Sequence, residues 1–167
     1  QKLVPTAQIK DAASATFSLD MLDEVMSMVK SKDGAVDFLA MPNEGILKYY
    51  SLLRALGGAG IGETVTLPDG SRMPTYRGVP IFRNDWIPMS VPGATRTGDI
   101  YAGVFDDGSR KVGVAGLTSV VNSGIFVTNV GEAEDSNDTI TRVRFYSGLA
   151  VFSQLGVARV KDAKFVG

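Results

Sequence analysis

An α+β fold is what this sequence predicts, with helices in the first third and sheet in the remainder. Two stretches carry apolar residues at helical spacing, Leu19, Leu22, Val25, Met26, Val29 and Ile46, Tyr49, Tyr50, Leu53, Leu56. From Gly57 onward short β-prone segments alternate with Gly, Pro and Asp turns. Neither cysteine nor histidine occurs, so no disulfide or imidazole cluster is available to organise the chain in place of a buried core.

Each element follows from local chemistry. Residues Gln1 to Ala15 are small and polar and read as an extended entry segment. Ser18 is placed as an N-cap, Asp20 and Asp23 suit the positive first turn, and Lys30, Lys32 and Gly34 close the first helix. Val36 to Met41 is a strand before Pro42, whose fixed φ suits the first turn of the second helix, and Gly57-Gly58 ends that helix. Glu63 to Leu67 and Arg72 to Tyr76 flank Pro68-Asp69-Gly70 as an exposed hairpin. Val79 to Phe82, Ile100 to Phe105 and Lys111 to Ala115 are further strands. Ile125 to Val130 and an overlong Ile140 to Phe152 flank the acidic loop Glu132 to Asp138, and Val157 to Val166 ends the sheet. The long strand suggests a ribbon leaving one sheet for another, and two interlocked units suit this order better than two sequential domains.

Composition narrows function. With 167 residues the chain can bury a core unaided. The lack of His and Cys removes every Ser-His or Cys-His nucleophile pair and the usual metal ligands. A formal charge of -1 gives no electrostatic footprint for nucleic acid. No apolar run reaches the length of a membrane span, and the start Gln1-Lys2-Leu3-Val4-Pro5 carries neither Met nor a leader, so residues upstream are expected.

Five features invite a chemical reading, and each has a plainer one. Gly57 to Gly62, including Gly58 and Gly60, could cradle a phosphate, but it follows a helix and no Lys-Ser/Thr pair comes next. Glu132, Glu134, Asp135 and Asp138 could offer oxygens to Ca²⁺, but their spacing lacks the Gly-centred loop, and a solvated hairpin tip explains them. Asp20, Asp23 and Glu24 are accounted for by the helix start, with no acid-base role required. Trp86 beside Ile87 and Pro88 is expected in the core or at a subunit interface, and Arg142 and Arg144 are expected opposite Val143 and Phe145, able to pair with carboxylates of the same or another subunit. No catalytic, cofactor-binding or metal-binding residue is assigned.

The order of segments resembles the major capsid proteins of tailed phages, the HK-ninety-seven-like fold also seen in encapsulins. The resemblance covers roughly Phe17 to Phe165 and rests on four stretches. These are Leu19 to Leu56, the phrase Tyr76-Arg77-Gly78-Val79-Pro80-Ile81-Phe82 before Asn84 to Pro88, Gly98-Asp99-Ile100-Tyr101-Ala102-Gly103, and Arg142 to Phe152 followed by Gly156 to Phe165.

The resemblance implies an α+β phage major capsid fold: a mixed central sheet covered by helices, plus a long β-ribbon of the peripheral domain. Residues 1–16 would be an entry segment left from the peripheral domain, 17–123 the axial domain, 124–153 peripheral strands and 154–167 a return strand. The family's N-terminal arm, extended loop and spine helix would precede Gln1. The implied function is a non-enzymatic structural subunit of a bacteriophage or prophage capsid, assembled in the host cytoplasm and resident in the virion. Its partners would be copies of itself, with scaffold or other virion proteins possible, and no specific nucleic acid or membrane. Gly58, Gly60, Asp69 and Gly70 are candidates for the axial tip, and Glu132, Glu134, Asp135, Arg142 and Arg144 for the rim. The alternatives are an encapsulin-like compartment shell and, from a different class, a small-ligand or nucleotide-binding enzyme centred on Gly57 to Gly62.

Overall fold

Apolar spacing alone locates both helices: α1 spans Leu19–Met28 and α2 spans Asn43–Ala55. The computed structural model describes residues 8–30, 35–56, 64–68, 70, 72–90, 96–120, 124–132 and 138–166. Ser18 occupies the N-cap of α1 with extended backbone, although its hydroxyl makes no cap hydrogen bond, so the acidic Asp20 is left to complement the first turn. Val29 caps the C-terminus, which is earlier than the lysines and glycine suggested. In α2, Pro42 stands at the N-cap, one place before its expected position, and Leu56 is exposed where the periodicity placed it in the stripe. The helix has ended by then, so the 3.6-residue pattern no longer governs where that side chain points.

Eleven strands are described: β1 Ile9–Asp11, β2 Phe38–Met41, β3 Thr64–Thr66, β4 Arg72–Tyr76, β5 Val79–Arg83, β6 Arg96–Gly103, β7 Val114–Thr118, β8 Ile125–Glu132, β9 Thr139–Phe145, β10 Ser147–Val151 and β11 Val157–Val166. They belong to two units, Gln1–Val114 with Phe152–Gly167, and Ala115–Val151. The first holds a seven-stranded mixed sheet of order β1-β11-β6-β2-β5-β4-β3, in which β1–β11 and β2–β5 are the parallel pairs. Part of the expected entry segment is thus an edge strand of this sheet.

Register shows which side is core. Leu39 faces Ile81 and Ala102, Ala102 faces Ala158, and Ile100 faces Val160; all six are nearly inaccessible. The helices cover this face, where Leu22, Val25, Ile46 and Tyr49 complete the core. Small residues allow close approach: a Cβ on Gly45 of α2 would stand 3.1 Å from the Phe165 ring, and one on Gly98 of β6 would stand 3.0 Å from it. The other face carries Tyr101, Arg159, Lys161 and Phe38, which are half-buried.

Turn chemistry explains the connections. Between Tyr76 and Val79 the loop is Arg77-Gly78, both at positive φ (50° and 79°), the two-residue hairpin geometry whose twist matches the strands. The expected exposed hairpin joins β3 to β4, with Thr66 facing Arg72 and Gly70 at φ 82° donating its N–H to Leu67 O at 2.9 Å. The expected strand Lys111 to Ala115 starts only at Val114, because Arg110 and Gly113 adopt left-handed φ of 58° and 69° and turn the chain first.

In the second unit β7 pairs with β10 and β8 pairs antiparallel with β9. The single long strand expected over Ile140 to Phe152 is therefore two strands. They change partner at Tyr146, whose N–H donates to Gly124 O at 2.9 Å, where Gly124 turns at φ 85°.

Candidate assembly surface

The β8–β9 ribbon is exposed along nearly its whole length. Ile125 faces Phe145, Val127 faces Val143 and Asn129 faces Thr141, so these six share one face. Phe126 faces Arg144 and Thr128 faces Arg142 on the other. The expected opposition of the two arginines to Val143 and Phe145 is present. On the apolar face Ile125, Val127, Val143 and Phe145 keep 48%, 66%, 65% and 60% of their accessible surface.

Such a surface is costly to leave in water. A two-stranded ribbon is marginal by itself, and burying these four side chains is worth on the order of several kcal/mol. Leu149 of β10, Leu117 of β7 and Tyr146 are exposed as well.

Charge is divided by the same pleat. A register shift between Asn129 and Gly131 leaves Glu132 facing Thr139 on the apolar side, away from Arg142 and Arg144. Among the described residues no carboxylate pairs with either arginine. Of the other expected site residues, Gly70 lies in its turn at the end of the first unit's sheet. Gly58, Gly60, Asp69, Glu134 and Asp135 fall outside the described residues, as does the glycine loop on which the nucleotide alternative rests.

Within the first unit, Trp86 is 94% exposed, which corrects the core half of the expectation that it lies in the core or at a subunit interface. The turn Asn84 to Ile87 holds it outward: Trp86 N–H donates to Asn84 Oδ1 at 3.0 Å, and Ile87 is the residue that turns in. It borders a cleft of about 500 Å³ lined also by Pro42, Glu44, Arg83, Asp85 and Met89. Arg83 chelates Asp85 at 2.8 Å and Arg96 meets Glu44 at 3.4 Å. The hydrogen bond from Arg83 holds the Asp85 carboxyl below its usual range. Both cleft carboxylates thus face arginines, and at Asp85 this stabilises the charged form and works against proton transfer near neutral pH.

Two polar clusters were not anticipated. Asp23 of α1 accepts from Tyr76 Oη at 2.7 Å and Arg77 Nη2 at 2.9 Å, which ties α1 to the hairpin turn beyond its dipole role. Burial and then the Asp23 hydrogen bond push the Tyr76 hydroxyl up to about 12. Asp99, buried in β6, accepts from Arg159 at 2.5 Å and from the Asp162 N–H at 3.2 Å. The available signal was an acid in the otherwise uncharged strand Gly98 to Gly103. Among the described residues no three acidic side chains gather as a metal site requires, and no helix is long and apolar enough to cross a membrane.

No protein-family model matches the chain, and no curated protein matches it in sequence. Among solved structures it is similar to a chain of the holo-SrpI encapsulin complex from Synechococcus elongatus, determined by cryo-electron microscopy. The TM-score is 0.77 at 21% identity, covering 98% of this chain and 56% of that one. This chain therefore spans just over half the length of its structural neighbour. The likeness is to an encapsulin chain, and it bears on the fold: a mixed α+β, HK-ninety-seven-like capsid fold.

Proposed function

We propose that the chain is the larger part of a self-assembling shell protein, of the encapsulin type in preference to the viral type. The carrying observation is the fold likeness over 98% of the chain. The exposed apolar ribbon supports it, since a surface of this kind is stable only when covered. The chemistry is association: many modest contacts, repeated under rotational symmetry, sum to a closed particle. In this reading Gly58, Gly60, Asp69 and Gly70 lie toward the capsomer axis. Glu132, Glu134, Asp135, Arg142 and Arg144 lie at its rim. The shell has no catalytic residue or cofactor of its own and assembles where it is synthesised.

The viral reading stands second, on the segment order that resembles tailed-phage capsid proteins. Contents separate the two. Particles isolated from the native host and imaged by electron microscopy are expected to enclose a co-purifying protein cargo. Particles filled with double-stranded DNA would transfer the proposal to the capsid reading, and a protein that forms no particle at all would end both.

A further inference from the structure

The outer edge of β9 has no strand partner among the described residues, and β9 is rich in β-branched residues and exposed at every position, Thr139-Ile140-Thr141-Arg142-Val143-Arg144-Phe145. Such an edge is a template for another strand. Facing residues in an antiparallel pair share one side of the sheet, so a two-fold axis perpendicular to it must pass through a residue. Charge then selects which. An axis through Arg142 sets that arginine against itself, and an axis through Val143 sets Arg142 against Arg144, both repulsive. An axis through Ile140 sets Arg142 against Asp138 but pairs only Thr139 to Thr141 within β9, whereas an axis through Thr141 sets Arg144 against Asp138 twice and Arg142 against Ile140 and keeps Thr139 to Val143 paired.

We infer that β9 pairs with β9 of a second copy of this chain about a two-fold axis at Thr141, giving a four-stranded sheet of order β8-β9-β9-β8. The inference rests on the reading of the chain as self-associating and names the contact that does it. It seats Arg144, for which the described residues supply no counter-ion, opposite Asp138 of the second copy. It also joins the apolar faces of two ribbons, Ile125, Val127, Val143 and Phe145 from each, into one surface on the same side of the enlarged sheet. The pairing closes on itself, so it yields a dimer contact and not a filament.

The absence of native cysteine makes the test specific. In a Thr141→Cys variant the new thiol meets its own mate at the axis, within the Cα separation that a disulfide needs. Mild oxidation should give a covalent dimer, whereas Thr128→Cys, on the far strand, should not. Adding Arg144→Asp or Asp138→Arg to Thr141→Cys should each slow cross-linking about tenfold, the effect of turning two favourable charge pairs repulsive. Mixing the two charge variants should restore it, because the opposite charges then meet. Circular dichroism melts of the variants confirm that each is folded. Cross-linking of the Thr141→Cys variant no faster than that of the Thr128→Cys variant, or rates indifferent to the charge changes, overturns the pairing. If particles still form in that case, the shell reading survives without it; cross-linking without particles would spare the pairing and remove the shell.

Discussion

Asp99 and Arg159 meet at 2.5 Å across the junction of β6 and β11, with 6% and 29% of their side-chain surfaces exposed. A bulge between Val160 and Ala163 brings Asp162, at φ 56°, close enough to donate its N–H to the same carboxylate. Arg159 also stacks 5.7 Å from the Tyr101 ring centroid. One buried acid thus fixes the register of the longest strand pair in the first unit.

Removing it should be expensive. Asp99→Ala strands a half-buried guanidinium and the bulge N–H, and is expected to cost about 2–4 kcal/mol. Urea denaturation at neutral pH checks this. Asp99→Asn, which keeps an acceptor oxygen, should lose less.

Packing around Phe165 gives a second expectation. Gly98→Ala places a Cβ 3.0 Å from the Phe165 ring and 3.4 Å from Met89 and Pro42, and should destabilise by about 1–3 kcal/mol. In a Phe165→Leu background the same change should cost less, and a double-mutant cycle on thermal or urea unfolding measures the difference.

Gly113 and Gly108 make a controlled pair. Both have positive φ, 69° and 91°, but a Cβ on Gly113 would lie 2.2 Å from Val104 O, while one on Gly108 meets nothing within 4 Å. Gly108→Ala should cost only the left-handed backbone term, about 1–2 kcal/mol. Gly113→Ala adds a backbone collision and should lower the melting temperature far more or abolish folding, as circular dichroism will register.

Alkaline stability reports on Tyr76. Its folded pKa, raised from 10.0 to about 12, means that above pH 10 the unfolded chain loses this proton before the folded chain does. The stability contributed by the neutral hydroxyl is complete below the unfolded value and is lost as pH rises through the folded one. Urea midpoints taken between pH 9 and 12 should therefore fall in the native protein more steeply than in Tyr76→Phe, with the two curves converging at the alkaline end.

Much of the fold was legible from residue order. The helices followed apolar spacing, and the hairpin joining β3 to β4 followed turn chemistry, because both depend on neighbours within a few residues. What escaped depends on partners far along the chain. Ile140 to Phe152 alternates as one strand, yet it divides at Tyr146 because β8 and β7 present separate edges to it. The Asp99 and Arg159 pair spans 60 residues and is visible only once β6 and β11 are in register. Trp86 is exposed because the Asn84 turn aims it outward, a matter of backbone geometry that hydrophobicity does not encode. At the candidate surface, the sequence placed Arg142 and Arg144 opposite the apolar side correctly, since strand alternation is strictly local. It could not place Glu132, because the irregularity after Asn129 changes the face on which that residue falls.

The central claim, that the apolar ribbon face exists to be covered by another subunit, is tested most directly by sedimentation velocity of the intact polypeptide carrying these residues, native and Val127→Lys/Val143→Glu, whose opposite charges face each other across the ribbon. The native protein should sediment as large closed particles, and the variant, melting at an unchanged temperature, as small species. Native protein that remains monomeric at high concentration, or a folded variant that assembles equally well, would contradict it.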